Sequence, residues 1–478
     1  MKRTAMTGFA ERHRGLGVAV VLAVALGGCA APPAPGSAVA TGSSPVAPGP
    51  APSARTDASP DFDGDGGADL AVGTGTDPGR VSIRYANGAT LDVGRGDVDS
   101  DPAHAASADF GQALLARDLN GDGFTDLVVS DPGAEFGTTL FLLYGGPKGL
   151  DLADPVTIPV DAAGSGRALA LVESPSPVLV AAGGGGSVLT WRLGTDGRPI
   201  GGPTSVSPES LGLAAPAAGS RFGSSLASSG SLLVIGAPGE TVNGARQAGA
   251  VYLVDVGTNP VQAQRITEAT RGVPGDARTG NRFGAAVAAS GALVVVGVPG
   301  ESRKDARGRS RAGAGMLVVL EFSAGSLSSA TAYDQLGLRG RISAGDGFGS
   351  TLAMVRPCRD TVGVIAGAWA EAVGADEQAG SVWLIPLGEG GCDPVQLRDG
   401  HGLAAKAGPN TVVGSAVSAL RAGSDGDTLV IAAQGNSEEG VPGRVLTLDY
   451  PYTDPPAVVF TDLAVKEERT IALSPPEG

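Results

Sequence analysis

Two short acidic runs in the chain have the spacing of a calcium-binding loop. Hard cations prefer oxygen ligands, and alternate residues of a tight loop can surround such an ion. Positions 1, 3, 5, 7 and 9 of the first loop are Asp61, Asp63, Asp65, Gly67 and Asp69. In the second loop the same positions are Asp118, Asn120, Asp122, Phe124 and Asp126. With the residue at position 7 offering its backbone carbonyl, the spacing predicts two Ca²⁺ sites.

The residues after each acidic run indicate what kind of loop it is. A calcium loop between two helices continues to a bidentate Glu at position 12. Here position 9 leads directly into apolar residues typical of strands, Leu70-Ala-Val-Gly and Leu127-Val-Val-Ser. We therefore expect both loops to lie between strands. The alternative is a pair of acidic turns that hold no metal.

The N-terminal residues have the pattern of an export signal. Basic residues precede an apolar stretch at 18–26, too short to span a bilayer comfortably, which leads into Leu26-Gly-Gly-Cys29. Residues 1–28 resemble a bacterial lipoprotein signal peptide, whose cleavage leaves Cys29 to carry the lipid; an uncleaved anchor or an unmodified signal peptide is the alternative. Residues 29–60 are rich in Ala, Pro, Gly and Ser and are expected to form a tether. We expect the protein in the bacterial cell envelope, outside the cytoplasm, with a lipid anchor as its only attachment to the membrane.

The charge of the chain restricts its partners. It has 34 Lys and Arg against 49 Asp and Glu, a net charge of −15. Removal of the leader, with its four basic residues and one acidic residue, takes this to −18. Such a charge argues against nucleic acid and anionic lipid headgroups as partners.

Two of the three cysteines remain once Cys29 is assigned to the lipid. In an oxidising compartment an isolated pair such as Cys358 and Cys392 most often forms a disulfide. Closing a loop of about 35 residues contributes about 4 kcal/mol in the chain-entropy model. Two free thiols are the alternative.

From residue 61 onward the chain repeats a strand-rich unit. Second strands are predicted to begin at Leu70, Leu127, Val178, Leu232, Leu293, Val362 and Leu429. In the better-preserved units a Phe-Gly pair opens the preceding strand, as at Phe110-Gly111, Phe222-Gly223, Phe283-Gly284 and Phe348-Gly349, and a triplet such as Gly236-Ala237-Pro238 ends the second strand. Helix signals are nearly absent. Residues 61–478 are therefore predicted to be all-β, a seven-bladed β-propeller of four-stranded antiparallel blades.

These motifs resemble the FG-GAP repeat family, known from the seven-bladed propeller of integrin α chains and from bacterial surface proteins. The resemblance is weaker in repeats 3 and 7, where Arg167-Ala168 and Val413-Gly414 stand in for Phe-Gly. The Phe and Gly residues are interpreted as packing residues, with Phe between blades and Gly allowing close backbone approach. Repeat 1 lacks a first strand, which Thr470 to Leu473 is expected to supply after a last blade-7 strand near Val458 to Phe460.

In an antiparallel meander, the loops after first strands and those after third strands lie on one face. The calcium loops and the Cys358–Cys392 pair are expected on that face. The opposite face holds an unusually basic loop, with Arg303, Lys304, Arg307, Arg309 and Arg311. This loop either docks an anionic partner or is a solvated loop, and we favour the second.

Signals for chemistry are few. After signal cleavage the only histidines are His104 and His401, which are expected to be exposed, and no nucleophile or zinc-protease motif is present. We therefore expect a surface module for binding, scaffolding or adhesion, with an unidentified protein or polysaccharide ligand. The alternative is an envelope hydrolase or lyase with its site in the propeller channel.

Overall fold

The computed structural model describes most of the chain between residues 59 and 464. The described ranges are 59–74, 78–105, 107–133, 137–160, 165–173, 176–259, 261–323, 325–358, 361–373, 378–388, 392–399, 402–403, 412–421, 426–433, 444–451 and 459–464. The predicted signal peptide, the predicted lipidation residue Cys29 and nearly all of the tether lie outside these residues, as does His401. Within them no helix is long and apolar enough to cross a membrane.

The described strands form a series of antiparallel sheets that follow one another along the chain. Blade 1 contains β1 (Leu70–Thr74), β2 (Arg80–Arg84) and β3 (Thr90–Gly94); blade 2 contains β4 (Leu114–Arg117), β5 (Asp126–Asp131), β6 (Thr138–Leu143) and β7 (Val156–Val160). Blade 3 contains β8 (Leu169–Val172), β9 (Val178–Ala182), β10 (Val188–Arg192) and β11 (Thr204–Val206); blade 4 contains β12 (Ser225–Ser229), β13 (Leu232–Ala237), β14 (Ala250–Asp255) and β15 (Gln262–Ile266).

The later blades have additional short strands. Blade 5 contains β16 (Val287–Ser290), β17 (Leu293–Val298), β20 (Met316–Ser323) and β21 (Ser326–Tyr333), with a hairpin of β18 (Arg303–Lys304) and β19 (Ser310–Arg311) between its second and third strands. Blade 6 contains β22 (Phe348–Cys358), β23 (Thr361–Ala368), β24 (Ser381–Pro386) and β25 (Val395–Asp399), and its edge pairs in parallel with β26 (Gly402–Leu403). Blade 7 contains β27 (Val413–Arg421), β28 (Gly426–Ala433), β29 (Arg444–Pro451) and β30 (Val459–Ala464).

This arrangement confirms the predicted seven-bladed all-β propeller. The helical elements of the described residues are three 3₁₀ turns, Arg95–Asp97, Pro102–His104 and Glu209–Leu211. The predicted second strands are present within a few residues of their predicted starts. Blade 1 shows its second to fourth strands, and the residues expected to supply its first strand, 470–473, lie outside the described part of the chain.

The core consists of clusters shared between neighbouring blades. Each cluster combines buried side chains from two adjacent sheets, such as blades 1 and 2 or blades 4 and 5. One cluster joins Leu70 and Val72 of blade 1 to Leu420 and Val430 of blade 7. The last blade therefore packs against the first, and the ring is closed by buried apolar contacts.

The Phe of each Phe-Gly pair lies in one of these shared clusters. Phe110, Phe222, Phe283 and Phe348 are all buried. Phe222 packs edge-on against Tyr252 and Phe348 against Trp383, with ring centroids 4.9 and 6.5 Å apart. The packing interpretation of these residues is confirmed.

The glycines of the two motifs face each other across the gap between blades. A Cβ on Gly297, in the triplet of blade 5, would lie 1.9 Å from the carbonyl oxygen of Gly349, in the Phe-Gly pair of blade 6. Because the repeat is periodic, a Cβ on Gly236 of blade 4 would likewise lie 2.2 Å from the carbonyl oxygen of Gly284 in blade 5. The backbones of adjacent blades thus approach so closely that neither motif tolerates a side chain at its glycine.

In blade 3 the structure corrects the predicted register of the Phe-Gly position. The N–H of Gly166 donates to the Ala182 carbonyl, as the N–H of Gly111 donates to that of Ser130 in blade 2. Ser165-Gly166 therefore occupies this position, and the prediction of Arg167-Ala168 was wrong by two residues. The reason is conformational: the position requires positive φ, which Gly166 adopts at 76°.

Cys358 and Cys392 form the predicted disulfide, with their Cα atoms 6.3 Å apart. Cys358 ends the first strand of blade 6 and Cys392 follows its third strand. Both cysteines therefore lie at the face that carries the loops after first and third strands, as expected from the meander.

The close backbone contact between adjacent blades, called the seam below, predicts that one added methyl group there would lower the free energy of unfolding considerably. Gly297→Ala should lower the free energy of unfolding by at least about 2 kcal/mol, because blades 5 and 6 must move apart to admit the Cβ. Gly202→Ala is the matched control, since nothing lies within 4 Å of its added Cβ, and it should change stability by less than about 1 kcal/mol. Urea denaturation measures both, and equal stabilities for the two variants would contradict this account of the seam.

Candidate metal centre

The two acidic loops lie on one face, at neighbouring blades. The first, residues 61–69, leads directly into β1, and the second, residues 118–126, connects β4 to β5. Each loop turns sharply through glycines with positive φ, at Gly64 and Gly66 in the first and at Gly121 and Gly123 in the second. These glycines bend the chain so that alternate side chains point to the inside of the loop.

In the first loop three carboxylates converge. One oxygen from each of Asp61, Asp63 and Asp65 lies within 4.8 Å of the other two. Asp61 Oδ2 accepts a hydrogen bond from the Gly66 N–H at 3.0 Å, whereas Asp61 Oδ1 is buried and has no hydrogen-bond partner. A carboxylate oxygen that is buried without a hydrogen-bond donor lacks a group that would balance its negative charge.

The second loop repeats the internal hydrogen bonds of the first, and in it Asp118 Oδ1 also accepts from the Gly121 N–H, at 2.6 Å. Asp118 Oδ2 accepts from the N–H of Gly123 at 3.0 Å, the counterpart of the bond from Gly66 to Asp61. The third-position Asn120 accepts from the Asp122 N–H at 3.0 Å, and Asp122 accepts from the Phe124 N–H at 2.9 Å. Because the third position is an amide here, this loop gathers less negative charge than the first.

The ninth-position carboxylates connect each loop to its own blade. Asp69 accepts from the N–H groups of Phe62 and Ala86, at 2.6 and 2.9 Å. Asp126 accepts from those of Leu119 and Gly145, at 2.8 and 2.9 Å. Each carboxylate therefore ties the second residue of its loop to the end of the third strand, where the chain leaves the sheet.

Burial makes these carboxylates hard to ionise in the absence of a cation. Desolvation raises the pKa of Asp69 to about 6 and that of Asp126 to about 7, and the neighbouring loop carboxylates add to both shifts. Desolvation is also the largest cause of the raised pKa of Asp61, and the charges of Asp63 and Asp65 raise that pKa further. A bound divalent cation would reverse this balance by stabilising the ionised forms.

The residues present fit a hard divalent cation. The first loop offers one clustered carboxylate oxygen from each of Asp61, Asp63 and Asp65. In addition, Asp61 Oδ1 is buried without a hydrogen-bond partner. The donor set is all oxygen, the chemistry that Ca²⁺ prefers over nitrogen and sulfur ligands. In the second loop the corresponding side chains are Asp118, Asn120 and Asp122.

The two loops also touch each other. The N–H of Asp61 donates to Thr125 Oγ1 and the N–H of Thr125 donates to the Asp61 carbonyl, both at 2.9 Å. The Phe124 ring covers Gly64, where an added Cβ would lie 2.4 Å from the ring. The loops thus form one continuous surface across the seam between blades 1 and 2.

The basic loop on the opposite face is an ordered hairpin with most of its charge paired. Arg303 forms an ion pair with Asp334 at 2.6 Å, outside the hairpin. Asp305, within the hairpin, pairs with Arg309 and Arg311 at 3.0 and 2.8 Å. Of the predicted ligand residues, Lys304 and Arg307 remain for contacts with solvent or a partner.

His104 is not exposed in the way that was expected, since its imidazole is only 28% exposed and Nδ1 lies 2.8 Å from Asp99 Oδ2. Asp99 in turn accepts from Arg95, which is buried and pairs with Asp131 of blade 2. These groups join the connection after blade 1 to the next blade. They form a structural network, and His104 is not among the residues that line the central channel.

Three buried glutamates escaped the sequence interpretation. Glu240, Glu301 and Glu371 occupy the same position of blades 4, 5 and 6, two residues after the Pro238, Pro299 or Trp369 of the triplet. Each carbonyl accepts from the glycine that opens the next strand, Gly249, Gly315 or Gly380. The recurrence of Glu at this offset was the available signal.

Glu301 belongs to a further buried acidic pair, between blades 4 and 5. Asn281 Nδ2 donates to Glu268 Oε2 and lies 2.5 Å from Glu301 Oε2, so one amide serves both carboxylates. Glu268 Oε1 is buried without a partner. Desolvation raises the pKa of Glu268 to about 8, with Glu301 and Asp276 contributing, while Asn281 and Arg278 act in the opposite direction.

This pair predicts a pH-dependent stability. The folded state holds the Glu268 proton more tightly than the unfolded state, so its contribution to stability falls as pH rises from about 4.5 to about 8. Glu268→Gln should therefore flatten the decline in unfolding free energy between pH 5.5 and 8.5, measured by urea denaturation. Glu321→Gln, at an exposed position of β20, is the control. A decline as steep in Glu268→Gln as in the unaltered protein would contradict the assignment.

The central channel has a volume of about 320 Å³. Its described lining comes from the first strands of blades 2 to 7 and consists mainly of Ala, Leu, Ser and Val. Arg117 and Arg167 are its charged residues among those described, and no Asp, Glu or His is found in that part of the lining. The paired carboxylates of a glycosidase-type site are thus not found in this described lining.

Comparison with known families agrees with the geometry. FG-GAP repeat models match residues 110–141 and residues 215–254. The first match begins at Phe110-Gly111 and includes the second acidic loop, and the second includes Phe222-Gly223 and the triplet at Gly236. No curated protein matches the chain. The chain is therefore a seven-bladed β-propeller that contains FG-GAP repeats.

Proposed function

We propose that this protein is a calcium-stabilised propeller, anchored by lipid to the bacterial envelope, that acts as a binding, scaffold or adhesion module. An FG-GAP β-propeller is consistent with such a role. The observation that carries the calcium part is the convergence of carboxylate oxygens from Asp61, Asp63 and Asp65, together with the buried Asp61 Oδ1 that has no hydrogen-bond partner. Asp118, Asn120 and Asp122 provide the second site, with the carbonyls of Gly67 and Phe124 and the carboxylates of Asp69 and Asp126 completing the two sets.

The metal has a structural task in this proposal. Like charges crowd together in each loop without it, and the buried ninth-position carboxylates are then costly to ionise. When bound, the cation supplies positive charge that these oxygens lack. The chain's own residues hold the loops at the seam between blades 1 and 2, so the stability of that seam depends on the ion.

Removal of calcium should lower the melting temperature by several degrees. A site filled to about 100 times its dissociation constant stabilises the folded state by about 2.7 kcal/mol. Asp61→Ala and Asp118→Ala should each remove part of the shift caused by EGTA, and Mg²⁺ should restore little of it because it demands a tighter octahedral site. The measurement is differential scanning calorimetry with metal analysis of the purified protein.

Asp92→Ala is the control for these variants. Asp92 is an exposed acidic residue of blade 1 outside the loop, where it accepts a hydrogen bond from Ser82. Its substitution should leave the response to EGTA unchanged. A melting curve that does not respond to the chelator, with no calcium in the protein, would show that both loops are only acidic turns.

The proposed location rests on the sequence alone. Residues 1–28 and Cys29 have the signal and lipidation pattern, and 29–60 would separate the propeller from the membrane surface. Cys29→Ser should therefore move the protein from the membrane fraction to the soluble fraction, as judged by immunoblotting after detergent-free lysis. Cys358→Ser is the matched control, because it alters the disulfide and leaves Cys29 in place. Membrane retention of Cys29→Ser would refute the anchor.

The soluble Cys29→Ser protein also separates the two classes of function. If the protein is a binding module, it should be retained on immobilised envelope polysaccharide or envelope protein and should not degrade that ligand. The hydrolase or lyase alternative requires release of a soluble product from glycans or phospholipids. The described channel lining, with arginines and no carboxylate, favours the binding module. Product release without retention would favour the enzyme.

For the ligand we propose only its class, an envelope polysaccharide or an envelope protein. Lys304 and Arg307 are the basic side chains that the hairpin leaves for an anionic partner, and the paired arginines argue for the solvated alternative. The proposal involves no nucleic acid, because the acidic chain would repel it.

A further inference from the structure

We infer that Thr125 couples the two acidic loops, so that Ca²⁺ bound in the second loop raises the affinity of the first. This inference rests on the proposed calcium function and concerns how the two sites act together. Thr125 is a positioning residue in this role: its hydroxyl contacts the backbone of Asp61, and Asp61 is the first ligand of the other loop.

The contact is reciprocal and spans the seam between two blades. Asp61 donates its N–H to Thr125 Oγ1 at 2.9 Å, and Thr125 donates its N–H to the Asp61 carbonyl at 2.9 Å. Two hydrogen bonds in opposite directions fix both the position and the orientation of the Asp61 backbone. The side chain of Asp61 is thus directed into its loop by a residue of the neighbouring blade.

Thr125 lies between two residues of the second loop's ligand set. Phe124 precedes it at position 7 and Asp126 follows it at position 9. An ion held by the Phe124 carbonyl and the Asp126 carboxylate leaves Thr125 little freedom, because both neighbours are fixed. Filling the second loop therefore orders the group that positions Asp61.

A second connection runs through the ninth-position carboxylates. Asp126 accepts from the Gly145 N–H, and the next residue, Gly146, donates its N–H to the Phe62 carbonyl at 3.0 Å. Phe62 in turn donates its N–H to Asp69 at 2.6 Å. The two carboxylates are thus joined through three backbone residues, and the Phe124 ring against Gly64 adds a steric contact.

The first loop must be ordered before it can bind Ca²⁺. Its three clustered carboxylates repel one another, and ordering them opposes ion binding. When the second loop has already ordered Thr125 and Phe62, less ordering remains for the first. Binding at one site then favours binding at the other, and the factor is the same in both directions.

Calorimetric Ca²⁺ titration of the full chain tests the coupling. Asp122→Ala disables the second loop and Asp65→Ala disables the first, since each removes the fifth-position oxygen ligand and leaves the Asp61–Thr125 contact in place. The coupling factor is the product of the two association constants of the unaltered protein divided by the product of the single-loop constants. We expect a factor of at least about fivefold, within the usual range for coupled sites.

Thr125→Val and Thr125→Ser identify the residue responsible. Val keeps the branched shape but removes the hydroxyl that accepts from Asp61, and it should lower the coupling factor by at least about threefold. Ser keeps the hydroxyl and should preserve the factor. Thr190→Val is the control, because Thr190 lies on β10 of blade 3 and its hydroxyl contacts only the Thr204 carbonyl among the described bonds.

The outcomes are distinguishable. Two ions bound with a coupling factor near one, or a factor that Thr125→Val leaves unchanged, would overturn the inference while the calcium function stands. No calcium uptake by the unaltered protein would overturn both together. A metal-free fold check by circular dichroism confirms that each variant is folded, so a lost factor cannot be attributed to unfolding.

Discussion

The close approach of neighbouring blades is the constraint on which the rest of this structure depends. At each well-formed seam, a glycine of the triplet in one blade faces the glycine of the Phe-Gly pair in the next, as Gly297 faces Gly349. No side chain fits there, so the sheets can be packed tightly enough for Phe side chains to fill the remaining gap. Blade 7 packs against blade 1 through buried apolar side chains such as Leu70 and Leu420, so every blade has a packed neighbour on both sides.

The seam between blades 1 and 2 has additional polar connections at both faces. The two acidic loops touch at one face through Asp61 and Thr125. At the other, the buried guanidinium of Arg95 pairs with Asp131 and lies over the Phe141 ring. A buried ion pair stabilises only when its remaining polar groups are satisfied, and Ser107 supplies a further hydrogen bond to Asp131. These contacts explain how a seam can carry a cluster of like charges without separating.

The face opposite the acidic loops is held by buried carboxylates of another kind. Glu240 accepts hydrogen bonds from Tyr252 and Arg265, and Glu371 from Gln335, Ser381 and Gln396. In each case the glutamate anchors the long connection between the second and third strands. The basic hairpin of blade 5 follows the same logic, because Asp305 neutralises two of its arginines. These glutamates and Asp305 on this face therefore hold the loops in shape through hydrogen bonds and ion pairs.

Several features of the protein were determined by the sequence alone. The periodic Phe-Gly and Gly-Ala-Pro motifs are local, because each reflects one backbone conformation and one close approach, and they predicted the fold, the seven second strands and the packing role of Phe. The sequence also predicted the shape of the acidic loops, since it depends on residues a few positions apart. The Cys358–Cys392 disulfide was predicted because two cysteines remained for an oxidising compartment. The Ser165-Gly166 register in blade 3 could not be predicted from the motif, because the side chain typical of the position is missing there.

Tertiary structure decided what depends on residues far apart in the chain. Only the fold brings Thr125 to Asp61, 64 positions away, and only burial reveals that Asp61 Oδ1 lacks a partner. The internal pairing of the basic hairpin and the Glu268–Asn281–Glu301 contact also depend on how loops pack, which composition does not encode. The sequence thus determined which residue types recur and at what spacing, whereas the charges and hydrogen bonds that each one meets were decided by the ring that the blades form.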